Sequence, residues 1–170
     1  SNTDTEVILK SYLEWGEGCL DRFNGMWAFL IFDTQTKHIF ISRDRYGIKP
    51  FYYYKDEDCF IFSSEIPGIL PAFKRKPEPN YQSIFDYLVF NRTDQTEETF
   101  FKGIRKLQHG HGVRLEADEA STFHAFRWYD LGDHVDRSDG FRSAEEYRDT
   151  FNSFVGLRLR SDVPVWVCLC

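Results

Sequence analysis

Seven consecutive apolar residues, Met26-Trp27-Ala28-Phe29-Leu30-Ile31-Phe32, constrain this chain more than any other feature. The run does not alternate, so a strand built from it is apolar on both faces and needs cover on both. It is too short to cross a bilayer, as is the apolar run over residues 163–169. A layered interior is the remaining place for such a strand. The chain has the material for it: 17 Phe, 9 Tyr and 4 Trp among 170 residues, with 42% hydrophobic residues overall. That composition excludes a disordered tail and is enough for one domain or pieces of two.

Around this run the sequence punctuates itself. Thr3 and Glu6 form a capping box, and Ile8, Tyr12 and Trp15 then recur on one face of a helix. Gly16 and Gly18 end it, a helical turn follows over 19–23, and Asn24-Gly25 supplies a turn. Strands are expected at 26–32, 39–41, 51–54 and 60–62, joined by short turns, which predicts an antiparallel meander. Residues 71–79 read as a surface connection. Residues 81–90 read as a helix with Ile84, Phe85, Leu88 and Val89 on its apolar face, and 92–98 as an exposed loop. Short strands are expected at 104–107, 113–115 and 122–128, then an acidic loop over 130–140. A second capping box, Ser143 with Glu146, opens a helix whose face is Tyr147, Phe151 and Phe154. A buried strand over 163–169 follows, so a new α/β unit is expected from about residue 143. If that strand stayed open, it would be an aggregation hazard and the isolated chain would be poorly soluble.

Charge and polar residues narrow the function classes. The net charge is -6, from 21 basic and 27 acidic residues, and no basic block appears, so nucleic acid is not an expected partner. No charged-then-apolar leader opens the chain, so a cytoplasmic protein with no membrane partner is expected. Cys19, Cys59, Cys168 and Cys170 form no zinc-like spacing and read as ordinary thiols, although 168 and 170 would share one side of a strand. His109-Gly110-His111-Gly112 admits a metal reading, but the alternating glycines favour a turn. The densest charged motif is Ser42-Arg43-Asp44-Arg45-Tyr46-Gly47-Ile48-Lys49-Pro50. It reads either as a holder for an anion or partner domain, or as a salt-bridged turn with Gly47 at positive φ.

That motif, continued by Phe51-Tyr52-Tyr53, resembles the ARDRFGIKPLYY signature of glutamine-hydrolysing asparagine synthetases. The flanks are similar in the same order: Asp4-Thr5-Glu6-Val7-Ile8-Leu9 with DTEVIL, and Asn24-Gly25-Met26-Trp27-Ala28-Phe29 with NGMFAF. Further on, Phe60-Ile61-Phe62-Ser63-Ser64-Glu65-Ile66 is similar to FxFASEI, and Phe101-Lys102-Gly103-Ile104-Arg105-Lys106-Leu107 to FKGIxKL. Leu157-Arg158-Leu159-Arg160-Ser161-Asp162-Val163-Pro164-Val165 is similar to the LRLRSDVPV that opens the family's synthetase domain.

The resemblance implies an α+β fold: part of a four-layer αββα N-terminal-nucleophile hydrolase of the class II glutaminase type, then the first helix and strand of an α/β nucleotide-binding domain. Residues 1–100 would be glutaminase, 101–142 an interdomain connection, and 143–170 the start of the synthetase domain. The parent would take L-glutamine, L-aspartate and ATP with Mg, and a homodimer is compatible with it. By match to the family motif, Asp4 would bind the α-amino group of glutamine. A helix-dipole acid is the competing reading of that residue. Leu169 would precede the pyrophosphate loop, where the backbone contacts ATP, against the competing reading of a plain core leucine. No catalytic residue is assigned, because the family's N-terminal cysteine nucleophile is not at residue 1, which is Ser. Cys170 stands where the first Ser of the SGGLDSS loop is expected, and Trp166 where the family has Gly. The chain as given is therefore expected to be inactive by itself. Two alternatives stay open: a related amidotransferase acting on a polysaccharide sugar or forming a β-lactam, and a non-catalytic binding module.

Overall fold

A computed structural model describes residues 3–73, 75–135 and 140–159. They divide into two compact units, the first ending at Asp133 and the second beginning at His134.

The first unit opens with α1 (Asp4–Trp15). Thr3 caps it, its hydroxyl accepting from the Glu6 N–H at 3.4 Å, and Gly16, at φ 56°, ends it where a side chain would be strained. A 3-10 turn over Gly16–Arg22 leads into the hairpin of β1 (Ala28–Phe32) and β2 (His38–Arg43). Its turn is an Asx turn: Asp33 accepts from the N–H groups of Gln35 and Thr36 at 2.8 and 3.1 Å. A second hairpin joins β3 (Tyr52–Lys55) to β4 (Phe60–Ser63), with Asp56 accepting from Asp58 and Cys59 at 2.9 Å. Next comes α2 (Tyr81–Phe90), capped by Asn80 and closed by Asn91 in the left-handed region. The strands β5 (Ile104–Lys106), β6 (His111–Glu116) and β7 (Glu119–Arg127) complete the unit.

The expected meander does not form. The strands make two antiparallel sheets, ordered β1-β2-β6-β7 and β4-β3-β5. Ile41 of β2 lies opposite Val113 of β6, and Tyr53 of β3 opposite Arg105 of β5. The cause is the connection from β2 to β3. It is a rigid turn over residues 44–51 that carries the chain out of the first sheet, so the edge of β2 is left for a strand far along the sequence.

Two cores result. Between the sheets lie Ile41, Phe51, Tyr53, Leu107, Val113 and Leu115, with Ala28 and Leu30 packed against them. On the other face of the four-stranded sheet lie Cys19, Leu20, Trp27 and Phe40, with Tyr12, Phe29 and Ile31 against them. Successive residues of β1 thus enter different cores, which is why its sequence does not alternate. Ile41 is 0% exposed; truncating such a side chain to Ala typically costs about 2–5 kcal/mol.

Two helix faces differ from expectation. On α1 the packed ring is Tyr12, stacked on Phe40 at 5.2 Å, while Trp15 is exposed and covered by the Arg22 guanidinium at 4.3 Å. On α2 only Ile84 of the expected face is half-buried; Phe85, Leu88 and Val89 are exposed. The helix is tied down instead by Tyr87, whose ring meets Phe100 at 5.3 Å. Helical spacing identifies an apolar stripe, but not what covers it.

In the second unit α3 (Ala144–Arg158) carries its capping box: Ser143 Oγ accepts from the Glu146 N–H at 3.1 Å, and the Glu146 carboxylate accepts from the Arg142 N–H at 2.8 Å. Tyr147, Phe151 and Phe154 are exposed, the first two stacking at 6.3 Å. The strand expected over 163–169 lies outside the described residues.

Candidate functional site

Two places in the first unit concentrate polar chemistry, and they differ in kind. The first is the turn after β2. Asp44 is 1% exposed, and its carboxylate accepts from four backbone N–H groups: Trp27 at 3.3 Å, Tyr46 at 3.0 Å, Ile48 at 3.1 Å and Lys49 at 3.0 Å. Arg43 reaches the other way, donating to the carbonyls of Lys49 at 2.7 Å, Leu107 at 2.5 Å and Gly47 at 2.6 Å. Burial pulls the Arg43 guanidinium below its ordinary value, and the charge of Asp44 opposes that shift. Gly47, at φ 65°, completes the turn; a Cβ there would sit 3.0 Å from the Arg43 guanidinium.

Arg45 extends the joint. It donates to the carbonyls of Phe23 at 2.5 Å, Leu20 at 3.2 Å and Asp21 at 3.3 Å, and lies 5.2 Å from the centre of the Trp128 ring. Trp128 stacks on Trp27, and its buried indole N–H has no acceptor among the described residues. The expected salt-bridged turn is thus corrected. The arginines satisfy carbonyls and the aspartate satisfies amides, so the three charges weld the turn to Trp27, Leu107 and the 3-10 segment without pairing to one another. The side-chain charges of Arg43, Asp44 and Arg45 are used inside the fold.

The second place is the start of α1. Asp4 occupies the first turn, where amide dipoles favour a carboxylate. It is exposed, and its carboxylate has no hydrogen bond or ion pair among the described residues. Chemically it is an open anion on a fixed backbone, suited to an ammonium group. Leu169 and Cys170 lie outside the described residues.

The histidine stretch divides into two glycine roles. Gly110, at φ 62°, forms the turn before β6, where a Cβ would fall 2.5 Å from the Tyr129 carbonyl oxygen. Gly112 lies within β6 and leaves room for the Phe126 ring. The His111 ring nitrogen meets the His109 carbonyl at 2.8 Å. Burial pushes the thiol of Cys19 up from its ordinary range, which makes it a poor nucleophile.

Sequence reasoning missed one feature, the buried Lys106. It is 5% exposed and donates to the Thr93 carbonyl and to Asp94 at 2.7 Å, a bond that holds the Asp94 carboxyl below the usual range. Its sequence signal was no more than a lysine between Arg105 and Leu107 in a short strand.

Comparison with known proteins places this fold. The family profile of the glutamine amidotransferase domain matches residues 1–129, and the chain belongs to that family. Within it, the chain is 39% identical over 167 residues to a Methanocaldococcus jannaschii protein that carries the provisional name of a second glutamine-hydrolyzing asparagine synthetase. It is 36% identical to the glutamine-hydrolyzing asparagine synthetase 3 of Bacillus subtilis, and 32% identical to the amidase chry2 of Gibberella zeae. These matches cover 97%, 96% and 99% of this chain but only 32%, 26% and 25% of the relatives, so the chain spans about a third or less of their length.

Proposed function

We propose that the protein works in a glutamine-hydrolysing asparagine synthetase. The observation that carries this reading is similarity to asparagine synthetases, at 36–39% identity, running through 96–97% of the chain rather than through one motif. In this reading, water hydrolyses the side-chain amide of L-glutamine to glutamate and ammonia. L-aspartate and ATP, with Mg, give an aspartyl-adenylate and pyrophosphate. Ammonia then displaces AMP to give asparagine. Asp4 is proposed to hold the α-ammonium of glutamine, which its exposure and its lack of a partner among the described residues support. The two stacked sheets with α1 on one side suit a four-layer N-terminal-nucleophile arrangement. The residues from 143 onward are proposed to open the nucleotide-binding domain, with 101–142 as the connection and the backbone near Leu169 beside ATP. Cytoplasmic location and a homodimer belong to the same proposal. Among the described residues no helix is long and apolar enough to cross a membrane.

The similarity to a fungal amidase, 32% identical over 99% of the chain, gives weaker support to a second reading with another amide acceptor. The two separate by isotope tracing. The protein at its natural length, given amide-15N glutamine, ATP, Mg and aspartate, should form 15N-asparagine and AMP. Glutamine hydrolysis without labelled asparagine would reject the synthetase reading in favour of the other acceptor.

A further inference from the structure

We propose that a cleft beside α2 in the first unit binds a free α-amino acid as a zwitterion. The cleft, about 280 Å³ in volume, is lined by Ser83, Asp86, Arg92, Asp94, Phe100 and Lys106 among others. Lys106 forms part of its lining, and its charge is already matched by Asp94. Glu98, also in the lining, pairs with Arg105 at 3.5 Å and accepts from the Asn80 amide at 3.1 Å, which leaves two charges. Asp86 is half-buried, and among the described residues its carboxylate accepts only from the Gln82 amide, at 2.8 Å. The Arg92 guanidinium stands 5.2 Å from the Phe90 ring and has no ion pair or hydrogen bond among the described residues.

These opposite charges belong to neighbouring backbone: the Arg92 N–H reaches the Asp86 carbonyl at 3.4 Å. Yet their side chains do not pair with each other. A ligand carrying both charges resolves that arrangement. Its carboxylate takes the guanidinium fork, a bidentate geometry arginine favours, and its ammonium takes Asp86. The Ser83 hydroxyl offers one further hydrogen bond, and Phe100 gives an apolar wall for a small side chain. An anion alone would meet Asp86 and Asp94, and a cation alone would meet Arg92 and Lys106, so neither fits as well. The site involves neither α1 nor Asp4, and so stands or falls apart from the glutamine reading.

The probe is L-alanine, titrated calorimetrically into the natural-length protein. Saturable one-site binding is expected, weakened at least about tenfold in both Arg92→Gln and Asp86→Asn, since each removes one charge-assisted contact. N-acetyl-L-alanine lacks the ammonium and L-alanine methyl ester lacks the carboxylate; neither should bind. Asp4→Asn should leave the alanine affinity unchanged. Thermal melts of the two cleft variants should match the parent, which separates lost binding from lost folding. Absence of saturable alanine binding, or equal affinity in parent and both well-folded variants, overturns the proposal and leaves the two charges as surface charges only.

Discussion

Two aspartates, each placed beside backbone amides, mark opposite uses of the same side chain. Asp44 is 1% exposed and takes four N–H groups, while Asp4 is exposed at a helix start and takes none among the described residues. A carboxylate saturated by amides is a piece of architecture, because its protonation or loss leaves buried donors unsatisfied. A carboxylate on a fixed backbone with no partner is available to a ligand. In sequence the charge-dense 43–50 turn admits a ligand-holding or a structural reading, and the hydrogen bonds of Arg43, Asp44 and Arg45 give it the structural role.

The comparison is broken most directly at Asp44. Replacing it with Ala strands four N–H groups and should cost about 3 kcal/mol or more, read from urea unfolding. A loss below about 1 kcal/mol would mean those bonds do not hold the turn. Arg43→Lys is a milder break. One ammonium cannot reach the Lys49, Leu107 and Gly47 carbonyls together, so a loss of about 2 kcal/mol is expected despite the retained charge.

A third test uses pH. Tyr53 lies between the sheets with its hydroxyl 3.4 Å from Glu97. Burial, then the Glu97 charge, push it up to about 12, with Arg105 opposing. Folding therefore favours the neutral phenol. That stabilisation is complete below the unfolded value of about 10 and disappears as pH rises from about 10 to about 12, a change of about 2 kcal/mol. Tyr53→Phe should flatten the stability profile across that window; an unchanged slope would assign the alkaline loss to other groups. The smallest stability effect is expected at Asp4. Asp4→Asn should move the unfolding free energy by no more than about 0.5 kcal/mol, since only a dipole contact of an exposed acid is altered.

Much of the fold was legible locally. The N-caps at Thr3 and Ser143, the turn at Asp33 and the helix over 81–90 follow from short-range rules that the chain obeys. The double cover of residues 28–32 was legible too, because an unalternating apolar strand has no other stable place. Pairing was not. Whether β2 meets β3 or β6 depends on where a rigid turn sends the chain, and that rests on Asp44 reaching back to Trp27 and Arg43 reaching across to Leu107. Such contacts have no period in the sequence. The cover of α2 was illegible for the same reason, and so was Lys106, whose partners Thr93 and Asp94 come from a loop that reads as plain polar surface. At the candidate site, family resemblance picked out Asp4, and the structure adds that its carboxylate is open.

The most direct test of the account is steady-state kinetics of Asp4→Asn at the protein's natural length, with glutamine and then ammonia as nitrogen source. The account predicts a KM for glutamine raised at least about tenfold, the scale of one lost charge-assisted contact, with ammonia-dependent synthesis unchanged. An unchanged KM for glutamine would contradict it and return Asp4 to the role of a helix-dipole acid.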